Sequence, residues 1–208
     1  LQKRESDRIE IVHITPDRGL CGGLNGNINR STSSFILDSA TSHSALITVG
    51  KKGADFMNRF GREIKAVFTD LGDKPGIEDI LPVAHIIIED YESAKVDKVF
   101  LAYSRFVTTT NQRPVMKQIL PVEPSVMEGI QQSGYIYEPD SMTVLGELLP
   151  RFVEMQVYHA VLESIASEQS ARMVAMRNAT DNADDMIQDL TLIYNKARQE
   201  MITTELLD

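Results

Sequence analysis

"RIEIVHITPDRGLCGGLN", residues 8–25, decides how the rest of the chain is read. The apolar run Arg8–Ile14 predicts a strand, and Leu24–Asp38 predicts a helix opened by the glycines between them. In α/β proteins, a glycine-rich turn after the first strand is where phosphates usually bind. Three readings compete: a nucleotide loop, a thiol site around Cys21, or a turn whose role is architectural.

The nucleotide patterns fail. Counting a P-loop from Gly19 puts Leu24 where its second glycine belongs, and no Lys-Ser/Thr follows. A dinucleotide fingerprint meets Cys21 or Leu24 at its middle glycine, and "TVGKK" lacks the acidic residue expected about twenty positions on. For the thiol, a phosphatase loop would want arginine where Asn27 sits. His13, His43, His85 and His159 stand in no papain-like context, and His13 reads as a satisfied core histidine. Architecture remains, with Gly19, Cys21, Gly22 and Gly23 as a structural turn and at least one of the three glycines at positive φ.

Alternation of strand and helix continues from this turn. Strands are predicted at Ala45–Val49 and Glu63–Phe68, and helices at Lys51–Phe60 and Ile77–Ser93, the latter with Ile80, Ala84, Ile87, Ile88 and Tyr91 at helical spacing. Val96–Phe106 and Pro114–Leu120, joined through "VTTTNQR", predict a hairpin and hence one antiparallel edge on a mainly parallel sheet. The expected fold is a doubly wound α/β layer over 1–140, with 121–140 a surface excursion.

From 141 to 208 the character changes to nearly continuous helix, roughly 100 Å long at about 1.5 Å per residue. Such a helix must leave the body. Pro150 predicts a kink or a fresh helix start, unless it lies within a first turn; the residue four positions back is Gly146. Past Met176 a heptad appears: Met176, Ala183, Leu190 and Ala197 on one position, Ala179, Met186 and Ile193 on the other. This is a coiled-coil seam, and its partner is missing. "SIASEQSARMVA" (164–175) is rich in Ser and Ala, so a partner could approach closely there.

Whole-chain properties narrow the function. The chain has 208 residues, 42% hydrophobic and 25% charged, with formal net charge −9 and one cysteine. That charge argues against general nucleic-acid binding. The single cysteine fits a reducing compartment, and no apolar run approaches the roughly 18–20 residues needed to cross a bilayer. Asp181, Asp184 and Asp185 read as the solvated flank of the seam, and Glu89–Glu92 as a charged helix end. No cofactor, metal or catalytic constellation is expected.

Four segments in order, "DRGLCGGLNGNI", "YEPD" (Tyr137–Asp140), "ASEQSARMVAMRNATDNA" (Ala166–Ala183) and "YNKARQEMITTEL" (Tyr194–Leu206), resemble the gamma subunit of F-type ATP synthases. The resemblance implies a Rossmann-like body whose C-terminal helix forms half of an antiparallel coiled coil, the other half being an N-terminal helix absent before Leu1. It implies a non-catalytic central rotor shaft turning inside a ring of alpha and beta subunits, peripheral on the cytoplasmic face of a bacterial plasma membrane and without membrane insertion. On that pattern Arg198, Gln199 and Thr203 grip the alpha/beta ring, with Arg172 and Glu168 as weaker ring contacts. Tyr135 and Glu138 meet the membrane c-ring and the epsilon subunit. With one cysteine, the cysteine-pair insertion of some photosynthetic members is not available. The competing readings are an enzyme binding a phosphorylated ligand at Gly19–Gly23, and a coiled-coil scaffold with an α/β head.

Overall fold

The computed structural model describes residues 8–38, 44–122 and 140–207. Among these residues nine elements follow one another: β1 (Ile9–Ile14), α1 (Leu24–Asp38), β2 (Ser44–Val49), α2 (Lys51–Arg59), β3 (Ile64–Phe68), α3 (Ile77–Glu92), β4 (Lys98–Thr108), β5 (Asn111–Leu120) and α4 (Ser141–Leu207). The sheet order is β3-β2-β1-β4-β5. β1 to β4 run parallel and β5 returns antiparallel to β4, so the doubly wound layer with one antiparallel edge is present.

Alternation along β1 sorts the core into two halves. Ile9 and Ile11 pack with Ile28, Ile36 and Met57 of α1 and α2. Val12 and Ile14 pack on the other face with Ile80, Val83 and Ile87 of α3. All six residues of β1 are buried, as expected for a central strand covered on both faces.

The hairpin is longer than its sequence suggests. β5 begins at Asn111 rather than Pro114, and β4 runs on to Thr108. Pro114 pairs with Ser104 within the ladder. A proline cannot donate to a ladder, but β5 is an edge strand and tolerates it there.

Asp140 starts α4. Its Oδ1 accepts hydrogen bonds from the backbone N–H groups of Met142 (2.9 Å) and Thr143 (3.0 Å), and Thr143 Oγ1 donates to Oδ2 at 2.7 Å. These bonds, the Thr143 hydroxyl's first, hold the carboxyl below its usual range. The helix then continues through Pro150 to Leu207. A fresh start at Pro150 and a first-turn placement are both corrected: the proline is the tenth helical residue.

Val153, Val157, Ala160 and Val161 of α4 join the core formed by α3 and the sheet. Residue 141 therefore marks where the helix begins, while the body's core extends well into it. From Met176 to Leu207 every residue is exposed. Met186, Leu190 and Ile193 of the heptad seam are 64%, 57% and 64% exposed. A helix without packing is marginal in water. Hydrogen exchange on the dilute chain is accordingly expected to show β1, β2 and β4 protected and 176–207 fast; equal protection of both would contradict an unpartnered seam.

Candidate functional site

The glycine turn lies at the carboxyl ends of the strands, beside the point where the chain order reverses between β1 and β4. Ligands usually bind at such a switch point. Here α4 lies across it.

Asp17 organises the approach. Its carboxylate accepts from the backbone N–H of Lys51 at 2.9 Å and of Asp70 at 3.0 Å, tying together the ends of three parallel strands. The chain then turns through Leu20 (φ 64) and Gly22 (φ 59). The expected positive φ thus falls on one of the three glycines. Leu20 shares it, a conformation unusual for a bulky side chain.

Cys21 is buried, and Asn25 Nδ2 donates to its Sγ at 3.4 Å. Burial pushes the thiol up, so it stays protonated rather than becoming an activated thiolate. His13 is fully buried, with Nε2 2.8 Å from Asn29 Oδ1 and Nδ1 3.1 Å from Thr32 Oγ1. The satisfied core histidine is what the structure shows.

Burial lowers the His13 pKa to about 4, against a hydrogen bond with Asn29 that raises it. The folded state therefore binds this proton less well than the unfolded chain. The stabilisation is complete above about 6.5 and lost as pH falls through about 4. Replacing His13 by Gln is expected to flatten that part of the urea midpoint against pH. An unchanged slope would contradict the assignment.

The Ser/Ala-rich stretch of α4 has a partner, and it is the chain's own body. Ser167 Oγ donates to the Ser104 carbonyl at 2.8 Å, in a buried contact with β4. Ser170 Oγ donates to the Thr109 carbonyl at the hairpin tip at 2.7 Å. Arg172 donates to Glu168 Oε1 at 2.5 Å and to the Gly19 carbonyl at 3.4 Å. Glu168 is only 8% exposed. Arg172 and Glu168 are thus brought together at the glycine turn, where they pin the helix. Small side chains with hydroxyls suit this docking because they allow close approach and still satisfy backbone carbonyls of β4 and the hairpin tip.

A cavity of about 470 Å³ lies between the turn, the hairpin tip and α4. Its polar lining includes Asn27, Asn111, Gln112, Asn178 and Asn182, with no lysine or arginine. A phosphate is held by charge-assisted donors or by exposed helix-terminal amides. Among the described lining residues the first are missing, and the second reduce to the start of α1, Gly22 to Leu24, where the Leu24 N–H already donates to the Cys21 carbonyl at 3.3 Å. Among the described residues, no cluster of His, Cys, Asp or Glu could hold a metal ion. No described helix is long and apolar enough to cross a membrane.

Arg198 and Gln199 stand about 40 Å further along the helix than Arg172. Both are exposed. Thr203 Oγ1 donates to the Gln199 carbonyl of its own helix at 2.8 Å, so its hydroxyl hydrogen is already engaged. The structure does not bring these residues to the Glu168–Arg172 pair. Tyr135 and Glu138 lie outside the described residues. Asp17, which ties the strand ends, and the docking residues Ser167 and Ser170 were not singled out from sequence. The nearest signal was the Ser/Ala run itself.

A family profile described as ATP synthase matches residues 1–208. An ATP synthase gamma chain from Dehalococcoides mccartyi is 58% identical over 208 residues, covering 100% of this chain and 73% of that protein. One from Herpetosiphon aurantiacus is 48% identical over 206 residues, covering 96% and 70%. The central stalk/c-ring structure of Tetrahymena thermophila mitochondrial ATP synthase superposes with a TM-score of 0.69 at 26% identity, covering 86% of this chain and 79% of that one. A Euglena gracilis mitochondrial ATP synthase structure shares the fold, with a TM-score of 0.72 at 24% identity, covering 98% and 71%. With strand-one turn, docked helix and open seam all in place, the chain belongs to the ATP synthase gamma-chain family.

Proposed function

We infer that this chain is the central rotor shaft of an F-type ATP synthase and does no chemistry itself. One observation carries the reading: a single 67-residue helix is anchored in an α/β body by its first half and bare along its second. A shaft must transmit torque, so one end needs rigid attachment and the other an extended, asymmetric surface. The Ser167, Ser170 and Arg172 contacts with carbonyls of β4, the hairpin tip and the glycine turn supply the attachment. The projecting 176–207 supplies the surface, about 48 Å long, and a second helix of the shaft closes its seam.

In this reading alpha and beta subunits surround the projecting helix, with Arg198 and Gln199 as donors toward the ring. Glu168 and Arg172 act chiefly by holding the helix to the body. Tyr135 and Glu138 are the residues through which this reading has the chain meet the c-ring and the epsilon subunit. The complex is membrane-associated, and this subunit sits on the cytoplasmic face of a bacterial membrane. The family supports a coupling role in ATP synthesis, because different faces of an asymmetric shaft favour different conformations of a surrounding ring.

The test is assembly with the alpha and beta subunits of a close relative. A bead fixed to the α/β body should rotate during ATP hydrolysis. It should stop rotating when α4 is cut after Val174. Rotation unaffected by that cut would overturn the shaft role. Tight stoichiometric ATP binding by the chain alone would instead favour a ligand site at Gly19–Gly23.

A further inference from the structure

Glu10 is a buried charge that the shaft does not use. As the second residue of β1 it alternates onto the face of Val12 and Ile14, the side covered by α3. It is fully buried, and among the described residues neither carboxyl oxygen has a hydrogen-bond partner.

Its surroundings are cationic on one side. Lys65 Nζ stands 3.9 Å from Glu10 Oε1 and also pairs with Asp90 near the end of α3. Lys95, after α3, pairs with the other Asp90 oxygen at 3.2 Å. Arg8 is engaged with Asp97 at 3.0 Å. Opposite Glu10 in the ladder, β2 places Ala45 and β4 places Val99, so Lys98 falls on the other face. On α4, Glu154 is buried and meets His85 of α3 and Arg151 of its own helix. Glu92 on α3 is exposed.

Lys65 reaches this place through an irregularity. Ile64 pairs with Leu46 and Ala66 with Ile47, so Lys65 is the additional residue of a bulge in the edge strand β3. Bulges re-aim side chains, and an inward charge on an edge strand discourages pairing with other chains. The second effect accounts for Lys65 and Asp90. It does not account for a second carboxyl with no donor.

A carboxylate buried without hydrogen bonds is costly, and the group takes up a proton instead. Burial raises the Glu10 pKa from an ordinary 4.5 to about 7, with Lys65 and then Lys95 pulling the other way.

We propose that Glu10, the bulged Lys65 and Asp90 form a proton-binding site inside the body, and that the proton on Glu10 sets how Lys65 and the edge strand β3 are held. With Glu10 ionised, Lys65 is shared between two carboxylates. With Glu10 protonated, Asp90 holds it alone. The proton comes from solvent along Lys65, whose side chain is 40% exposed. The edge of the sheet then responds to pH around neutrality.

The test is a carbon-13 NMR pH titration of the chain labelled at glutamate carboxyl carbons and lysine ε carbons. One glutamate resonance, absent in Glu10→Gln, is expected to titrate with a midpoint near 7. The Lys65 ε carbon and the amides of residues 64–66 should follow that midpoint in the unaltered chain and stay flat across it in Glu10→Gln. Lys65→Met should move the midpoint upward, because the cation favouring the charged form is gone. If that variant fails to fold, Lys65→Arg should keep the midpoint near 7. A Glu10 midpoint near 4.5 would overturn the proposal. So would Lys65 and β3 signals that titrate identically in Glu10→Gln, or a midpoint that Lys65→Met leaves unmoved.

Discussion

Replacing Gly50 by alanine is expected to cost roughly 3–5 kcal/mol of folding stability. Gly50 stands at the N-terminal end of α2 with φ 100 and ψ 143, a region that side-chain-bearing residues rarely enter. A Cβ built there would lie 1.8 Å from the Thr15 carbonyl oxygen. Thr15 has no room to yield. Its N–H donates to the Val49 carbonyl at 2.7 Å, and its Oγ1 accepts from the Gly53 N–H at 2.8 Å. The clash and the backbone strain therefore add. Gly22→Ala is the control: its φ is 59, but nothing lies within 4 Å of an added Cβ. Only the left-handed conformation is penalised there, by about 1 kcal/mol. Urea denaturation of both variants checks the ranking. Equal losses would mean that the packing between the ends of β1 and β2 is not what makes Gly50 obligatory.

A loss of ATP turnover of roughly 10- to 100-fold is expected when Arg198 is replaced by alanine in an assembled complex, since a charged hydrogen bond contributes about 1.5–3 kcal/mol. Gln199→Ala should lose less, its amide being neutral. Arg198 and Gln199 are exposed and belong to neither core cluster of the described residues. The melting temperature of the isolated body should therefore barely change, as surface substitutions usually stay within about 0.5 kcal/mol. Rotation torque and ATP hydrolysis, measured beside thermal unfolding of the same variants, separate the two roles. Normal turnover together with easier unfolding would make these residues structural features of the helix.

Sequence alone was enough for the layer and its order of elements. Strand and helix periodicities differ, and in Ile80, Ala84, Ile87 and Tyr91 the spacing directly named the buried face of α3. The glycine turn visibly breaks the strict spacings of nucleotide patterns, and the positive φ expected of one of its glycines falls on Gly22. The seam of α4 was legible because a heptad needs no tertiary information. Tertiary structure decided what closes on what. Pro114 looked like a strand boundary, yet an edge strand has ladder positions that need no N–H, and only the sheet order makes β5 an edge. The Ser/Ala run announced close approach but not to which surface. Its partners are carbonyls of residues 104 and 109, more than sixty positions away, and carbonyls have no sequence signature. Nothing in the sequence marks Glu10 or Lys65; a one-residue bulge in β3 turns one toward the other, and burial changes what a carboxyl at that position does. Periodicity is a local property of the chain. Desolvation and long-range pairing belong to the packed molecule.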